Sequence, residues 1–230
     1  MKKLIWLTLY LLVITVGLMA QQPIISFGDS WKYLDNGSNQ GTAWKDIPFN
    51  DGLWKTGSGK FGYGISDANQ IIGFGADQSH KYITSYFRKT INLTNPTSVA
   101  RYFFDVKRDD GIIVYVNGKE VYRNNMSSGT ILYNTLATSA NDNGTAIESF
   151  SLSNSAFIAG TNLIAVEVHQ QNGDRNDRDM AFDLSLTPPD ITPPVIKSIN
   201  RQNPIDTSTR LTSVVYRVTF SEKVTGVNAP

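Results

Sequence analysis

The sequence predicts an all-β protein, an antiparallel jelly-roll β-sandwich followed by the first strands of a second sandwich. One observation is the stretch Arg108 to Val121, where Asp109-Asp110-Gly111 leads into an apolar strand, Asn117-Gly118 reverses it and a short strand returns. Asn-Gly between alternating apolar residues is the strongest short-range hairpin signal, because both residues tolerate the positive φ of a type I′ turn. Another is a two-residue apolar period that recurs between clusters of Gly, Asn, Asp, Ser and Thr. The third is that no long segment beyond the N-terminus keeps the 3.6-residue period of a surface helix.

Residues 1–20 stand apart from the fold. Lys2 and Lys3 precede an almost unbroken apolar run, Leu4 to Leu18, and Ala20 lies before Gln21-Gln22-Pro23. The run is short for a membrane span and polar sequence follows at once, so it reads as a secretory signal peptide. The mature chain is then expected outside the cell or on its surface, with no membrane insertion after the signal is removed.

Within 21–187 the elements follow in order. Trp31 to Leu34 is the expected first strand. Gly57 to Lys81, with glycines at 57, 59, 62, 64, 73 and 75, reads as a long excursion without a convincing strand. Tyr82 to Leu93 is the next strand. Arg101 to Lys107 alternates, with Tyr102, Phe104 and Val106 on one face and Phe103, Asp105 and Lys107 on the other. Ile112, Val114 and Val116 share a face, and Asn124 to Thr145 is a second long loop region. Ser149 to Leu152 adds a strand; Ile164, Val166 and Val168 mark one more, and Phe182, Leu184 and Leu186 close the set. Two sheets would bury these alternating faces against each other. The loops would gather at the ends of the sandwich, where ligands are often held.

Pro188-Pro189-Asp190-Ile191-Thr192-Pro193-Pro194 reads as a proline-dense linker, 188–194, stiffened toward polyproline II. Val195 to Asn200 and Leu211 to Phe220 read as two strands of a partial domain, 195–230. Two strands cannot enclose a core, since an immunoglobulin-type sandwich needs about 100 residues. The chain is therefore expected to continue past Pro230, with other domains of the same longer chain as partners and any catalytic domain among them.

Composition excludes several function classes. The chain has 21 Lys+Arg against 20 Asp+Glu, and removing Lys2 and Lys3 leaves 19 basic residues against 20 acidic. That balance gives no electrostatic footprint for nucleic acid or for an anionic membrane. The absence of Cys removes disulfides, thiolate catalysis and cysteine–zinc sites.

Four phrases share one family pattern. Tyr86-Phe87-Arg88-Lys89-Thr90-Ile91 resembles the Arg-bearing strand of the N-terminal sugar-binding domain of family 2 glycoside hydrolases. Asp109-Asp110-Gly111 with Val114-Tyr115-Val116-Asn117-Gly118 is similar to the strand–turn of the same domains. Gly160-Thr161-Asn162-Leu163-Ile164-Ala165-Val166-Glu167-Val168-His169 is similar to their Gly-x-Asn strand, and Phe49-Asn50-Asp51-Gly52-Leu53-Trp54 to the segment preceding the Arg strand. The resemblance covers roughly residues 28 to 187. It implies a galactose-binding-like jelly roll with an accessory role in a bacterial secreted multidomain protein, either binding glycan or polysaccharide or serving as a spacer. Thr192-Pro193-Pro194 with Thr219 to Val227 resembles a bacterial immunoglobulin-like repeat.

The candidate site residues follow from chemistry and position. Trp44, Tyr63 and Phe74 fall in loops, where aromatic rings would stack on a pyranose; Trp31 and Trp54 sit in apolar alternation and are expected in the core. Arg88 is a donor for sugar hydroxyls or acidic sugars, with solvation on the strand as its alternative. Glu167 and His169 share the strand face opposite Ile164, Val166 and Val168, a spacing suited to ligand binding or acid–base work. The pair has no nucleophile or second carboxylate beside it, so no enzyme is expected; a jelly-roll lyase or glycosidase is the alternative. Adjacent Asp109 and Asp110 offer hard oxygens to calcium, as adhesin lectins of the protective-antigen type do, or else serve as a turn. The Asp174 to Asp179 loop reads as solvated, with internal salt bridges, or as a calcium loop in which Asp179 is a further ligand; Asp179 has backbone amides as its alternative partners.

Overall fold

The computed structural model describes residues 22–139, 143–172, 179–203, 205, 215–222 and 224. It divides into two compact units, meeting between Pro189 and Asp190.

The larger unit is an all-β sandwich. A six-stranded antiparallel sheet contains β1 (Ser30–Leu34), β2 (Lys55–Ser58), β5 (Thr84–Leu93), β7 (Gly111–Val116), β8 (Lys119–Asn124) and β10 (Gly160–His169), in the order β2-β1-β5-β10-β7-β8. A five-stranded sheet contains β3 (Phe61–Tyr63), β4 (Gln70–Ile71), β6 (Arg101–Asp109), β9 (Glu148–Ser153) and β11 (Met180–Thr187), in the order β4-β3-β11-β6-β9. Among the described residues of this unit only β3 and β4 pair in parallel; the other pairings are antiparallel.

The main core lies between the sheets, as the two-residue period requires. Trp31, Phe87, Ile112, Val114, Ile164, Val166 and Val168 from one sheet meet Phe61, Phe104, Val106, Phe182, Leu184 and Leu186 from the other. The rings interlock: Phe87 lies 4.3 Å from Phe182 and 5.1 Å from Phe61, and Trp31 meets Phe182 edge-on at 5.2 Å. Asn117 and Gly118 turn β7 into β8 with φ of 51° and 83°, the positive pair a type I′ turn demands.

One sequence expectation is sharpened here and another changes. The Asp109-Asp110-Gly111 turn carries the chain from one layer to the other, since β6 and β7 belong to different sheets. The Gly-rich excursion holds β2, β3 and β4, and it places Phe61, Tyr63 and Ile72 in the core. Glycine permits this crowding. A Cβ at Gly62 would stand 2.3 Å from the Met180 carbonyl oxygen, and one at Gly59 2.4 Å from Asp183 Oδ1.

In the second unit, β12 (Ile196–Asn203) and β13 (Val215–Phe220) form an antiparallel pair with two register shifts. Residues 211–214 of the expected second strand lie outside the described residues. Two strands do not establish an immunoglobulin-like sandwich, which stays an expectation.

Candidate functional site

The outer face of the six-stranded sheet is the unusual surface of this molecule. Register sets three rows across its central strands: Arg88–Ala165–Tyr115, Tyr86–Glu167–Ile113 and Thr84–His169–Gly111, on β5, β10 and β7 in turn. Such a face would ordinarily be solvated. Here Trp44, Trp54, Tyr86, Ile113, Tyr115, Met126, Ala137, Leu163 and Ala165 make a second apolar cluster, roofed by the segments around residues 44–54 and 126–137.

Arg88 fastens the first of these segments. Its Nε donates to Asp51 Oδ2 at 2.8 Å, and its Nη1 donates to the carbonyls of Trp44 and, at 3.1 Å, Asp46. Nη2 reaches the Phe49 carbonyl at 3.4 Å, and the Phe49 ring lies 5.2 Å from the guanidinium. The five donors of one planar group thus collect a whole loop. The expectation that Arg88 meets a sugar is corrected. The side chain is buried, and its donors are engaged by the loop that carries the Phe49-to-Trp54 phrase.

That fastening fixes Trp44, which sits in the 3₁₀ turn Ala43–Lys45. Its indole stands 4.8 Å from the Tyr86 ring and 5.7 Å from Tyr115, nearly perpendicular to the latter. Trp44 is not the exposed loop aromatic expected of it, being only 2 % exposed. It is instead a wall of a cavity of about 170 Å³. Tyr86, Tyr115 and Glu167 also line this cavity, while Lys45 and Tyr133 stand at its more exposed rim. It opens on the face of a sheet, not at the sandwich end where loop sites were expected.

Glu167 is held from two sides. The Tyr115 hydroxyl donates to Oε1 at 2.6 Å. On the other side His169 Nε2 lies 3.3 Å from Oε2. This distance fits an ion pair when Nε2 is protonated, yet the two atoms are not aligned as a hydrogen bond. Chemistry assigns the other ring nitrogen. Nδ1 is 2.7 Å from the Thr135 carbonyl, which can only accept, so Nδ1 carries a proton. Thr84 Oγ1 donates to the Tyr133 carbonyl at 2.6 Å and so accepts from Nδ1 at 3.0 Å. His169, fully buried, therefore holds the rim segment 133–135 through Nδ1 and stands beside the carboxylate on the floor. Burial, followed by the charge of Glu167, pushes the Tyr86 and Tyr115 phenols far above their ordinary range, so both stay neutral donors.

The remaining expectations resolve differently. Tyr63 lies in β3 inside the core, where its hydroxyl accepts from Gln170 Nε2, and Phe74 packs half-buried against it at 5.0 Å. Neither ring is a free platform, because the Gly-rich segment is folded into the sandwich. Asp109 and Asp110 are also buried, and Asp110 Oδ2 accepts the Gln171 amide at 2.7 Å. Asp179 is raised above the usual carboxylate range by burial and then by the charge of Asp110, with Lys81 opposing. Among the described residues no three His, Asp or Glu side chains converge as a metal ion would need. The calcium expectation finds no ligand set there; Asp174 and Asp177 lie outside the described residues.

Sequence reasoning missed Tyr86, Tyr115, Lys45 and Tyr133. One signal was present: Gly111–Val116 is apolar at every position after the glycine, as a strand buried on both faces should be.

Neither a family model nor a curated protein matches the chain. Among solved structures it is similar to a β-glucuronidase from glycoside hydrolase family 2, at 20 % identity and a TM-score of 0.43, over 74 % of this chain and 18 % of that one. It is similar to the Bacteroides uniformis β-glucuronidase 2 (16 %, TM-score 0.44, 79 % and 21 %) and the Ruminococcus gnavus β-glucuronidase (12 %, TM-score 0.41, 89 % and 33 %). The chain spans about a fifth to a third of the length of these enzymes.

Proposed function

We propose that this protein is an exported, non-catalytic accessory module that binds carbohydrate in the cavity between Trp44, Tyr86, Tyr115 and Glu167. The observation that carries the reading is a small hollow with aromatic walls and a carboxylate on its floor. Sugars combine an apolar ring face with a rim of hydroxyls, and aromatic rings beside a fixed acceptor match both halves. The size limits the ligand: about 170 Å³ falls below the roughly 300 Å³ at which drug-sized pockets begin, so one sugar ring enters and the rest of a chain stays outside. Affinity per site is then low, and multivalent display in a longer chain would raise it.

A glycan-array and polysaccharide pull-down screen of the full chain tests the reading. Binding that falls at least about tenfold in Tyr133→Ala, a rim substitution that leaves the core intact, supports it. Absence of any bound glycan overturns it in favour of a packing or spacer role. Binding is expected to survive chelation with EDTA.

One observation favours a second reading, a lyase or glycosidase: Tyr115, Glu167 and His169 do converge. The phenol, however, is pushed away from ionisation and already donates to Glu167, so it makes a poor base. Retaining or inverting hydrolysis uses two carboxylates across the bond, and Glu167 is the one carboxylate among the described lining residues. Product release from a bound oligosaccharide, abolished by Glu167→Gln, would restore the catalytic reading.

A further inference from the structure

Building on the carbohydrate reading, we infer that this cavity selects a sugar ring bearing a protonated amino group and turns away uronates. The floor decides the sign. Among the described lining residues Glu167 is the one carboxylate, with its side chain 8 % exposed. A carboxylate offers about four lone-pair sites. Tyr115 occupies one, and the His169 contact is not aligned as a hydrogen bond, so acceptor capacity remains on the cavity side.

The walls favour a cation as well. The faces of Trp44, Tyr86 and Tyr115 carry the negative side of their ring quadrupoles. The protein itself demonstrates the affinity: Lys45 Nζ rests 4.4 Å above the Tyr115 ring. Both floor phenols stay neutral and present hydroxyls, which leaves Glu167 to set the charge.

Lys45 is the countervailing charge and could invite a carboxylate. It stands half-buried at the rim, where solvent and salt screen it, whereas Glu167 lies in the enclosed floor. A ligand carboxylate that reaches the floor meets Glu167; one that stops at Lys45 gives up the floor contacts. An ammonium gains at the floor and meets opposition only at the screened rim. The order expected is amino sugar, then neutral sugar, then uronate.

The test is an NMR titration of the full chain at mildly acidic pH. The probes are methyl glycosides of glucose and galactose, each as the neutral sugar, the 2-amino sugar and the uronate. Within the series that binds, the amino sugar should be tighter than the neutral sugar by about tenfold, because a hydrogen bond to an ionised donor is roughly twice as strong. The uronate should be weaker by a similar factor. Glu167→Gln, nearly isosteric and still able to accept from Tyr115, should bring the amino-to-neutral ratio, read within the variant, to about one. Its amide spectrum verifies the fold. Equal binding of the three classes, a preference for the uronate, or an amine preference that survives Glu167→Gln overturns the inference and leaves a sugar site standing. If no probe shifts any cavity resonance, the sugar reading falls and the selectivity falls with it.

Discussion

Two strand pairs of this sandwich, β6–β9 in one sheet and β7–β10 in the other, treat their outer faces in opposite ways. On the five-stranded sheet, β6 and β9 show the ordinary pattern: Ser149, Ser151 and Ser153 are exposed, Phe103 is 43 % exposed, and the inward residues Tyr102, Phe104 and Val106 are buried. On the six-stranded sheet, β7 is buried at every position and β10 from Asn162 to His169. The β6–β9 pair has a core face and a water face; β7 and β10 lie between two interiors, and the second of these holds a buried carboxylate and imidazole. A buried polar network costs free energy unless its members are satisfied. Its presence on a face that could have been solvated is what supports the proposed site there.

The strongest way to break this contrast is to unfasten the roof. Arg88→Ala leaves Asp51 and three loop carbonyls without their shared donor, and it removes a buried side chain. Removing one member of a buried charged network typically costs about 3–5 kcal/mol, and that is the loss expected in urea-unfolding free energy. Lys107→Ala, a half-exposed change on the other sheet's outer face, should stay within about 0.5 kcal/mol. Similar costs for the two substitutions would mean that the roof is not held from below.

A smaller change sharpens the same point at the floor. Tyr115→Phe deletes the 2.6 Å donor to Glu167 and nothing else. A hydrogen bond to a buried charged group is worth about 1.5–3 kcal/mol; a loss near the middle of that span is expected at neutral pH. The alkaline limb supplies an independent measure. Tyr86 and Tyr115 are raised above the ordinary phenol value of 10.0, so above that pH the folded state holds protons that the unfolded state has released. Stability from this source is complete below about pH 10 and declines as pH rises toward the folded values. Unfolding titrations from neutral pH upward should show that decline in the wild type and a shallower one in Tyr115→Phe. An unchanged slope would place the phenol in water.

How much of this was legible follows from the same contrast. Where one face meets solvent, as in Arg101 to Lys107, the alternation of side chains gave strand and orientation together. Glu167 and His169 were also placed on their correct face, because period two needs only the apolar stripe opposite them. Their partners were not legible. Tyr86 and Tyr115 reach Glu167 through register between strands far apart in sequence, which no local pattern encodes. Trp44 read as a loop aromatic because its burial depends on Arg88, 44 residues away. The strand Phe61–Tyr63 was hidden by its length and its central glycine, although Phe61 and Tyr63 kept the alternation. Asp109-Asp110-Gly111 has turn chemistry, and only the sheet assignment shows that it crosses between layers.

The smallest expected effect tests the open face. Phe103 lies on β6 opposite Ser151 of β9 and Thr187 of β11, with nearly half its surface in water. Phe103→Ser removes apolar area that folding has only partly buried and puts a poorer strand former at the site. The two losses together are expected to remain within about 0.5–1 kcal/mol in urea unfolding, since surface substitutions away from caps, cavities and networks rarely exceed that. A cost of about 3 kcal/mol, the size seen for aromatic residues in closed interiors, would show that Phe103 is covered in solution. The β6–β9 pair would then have a second interior of its own, and burial on both faces would no longer set the pair that carries Glu167 apart from it.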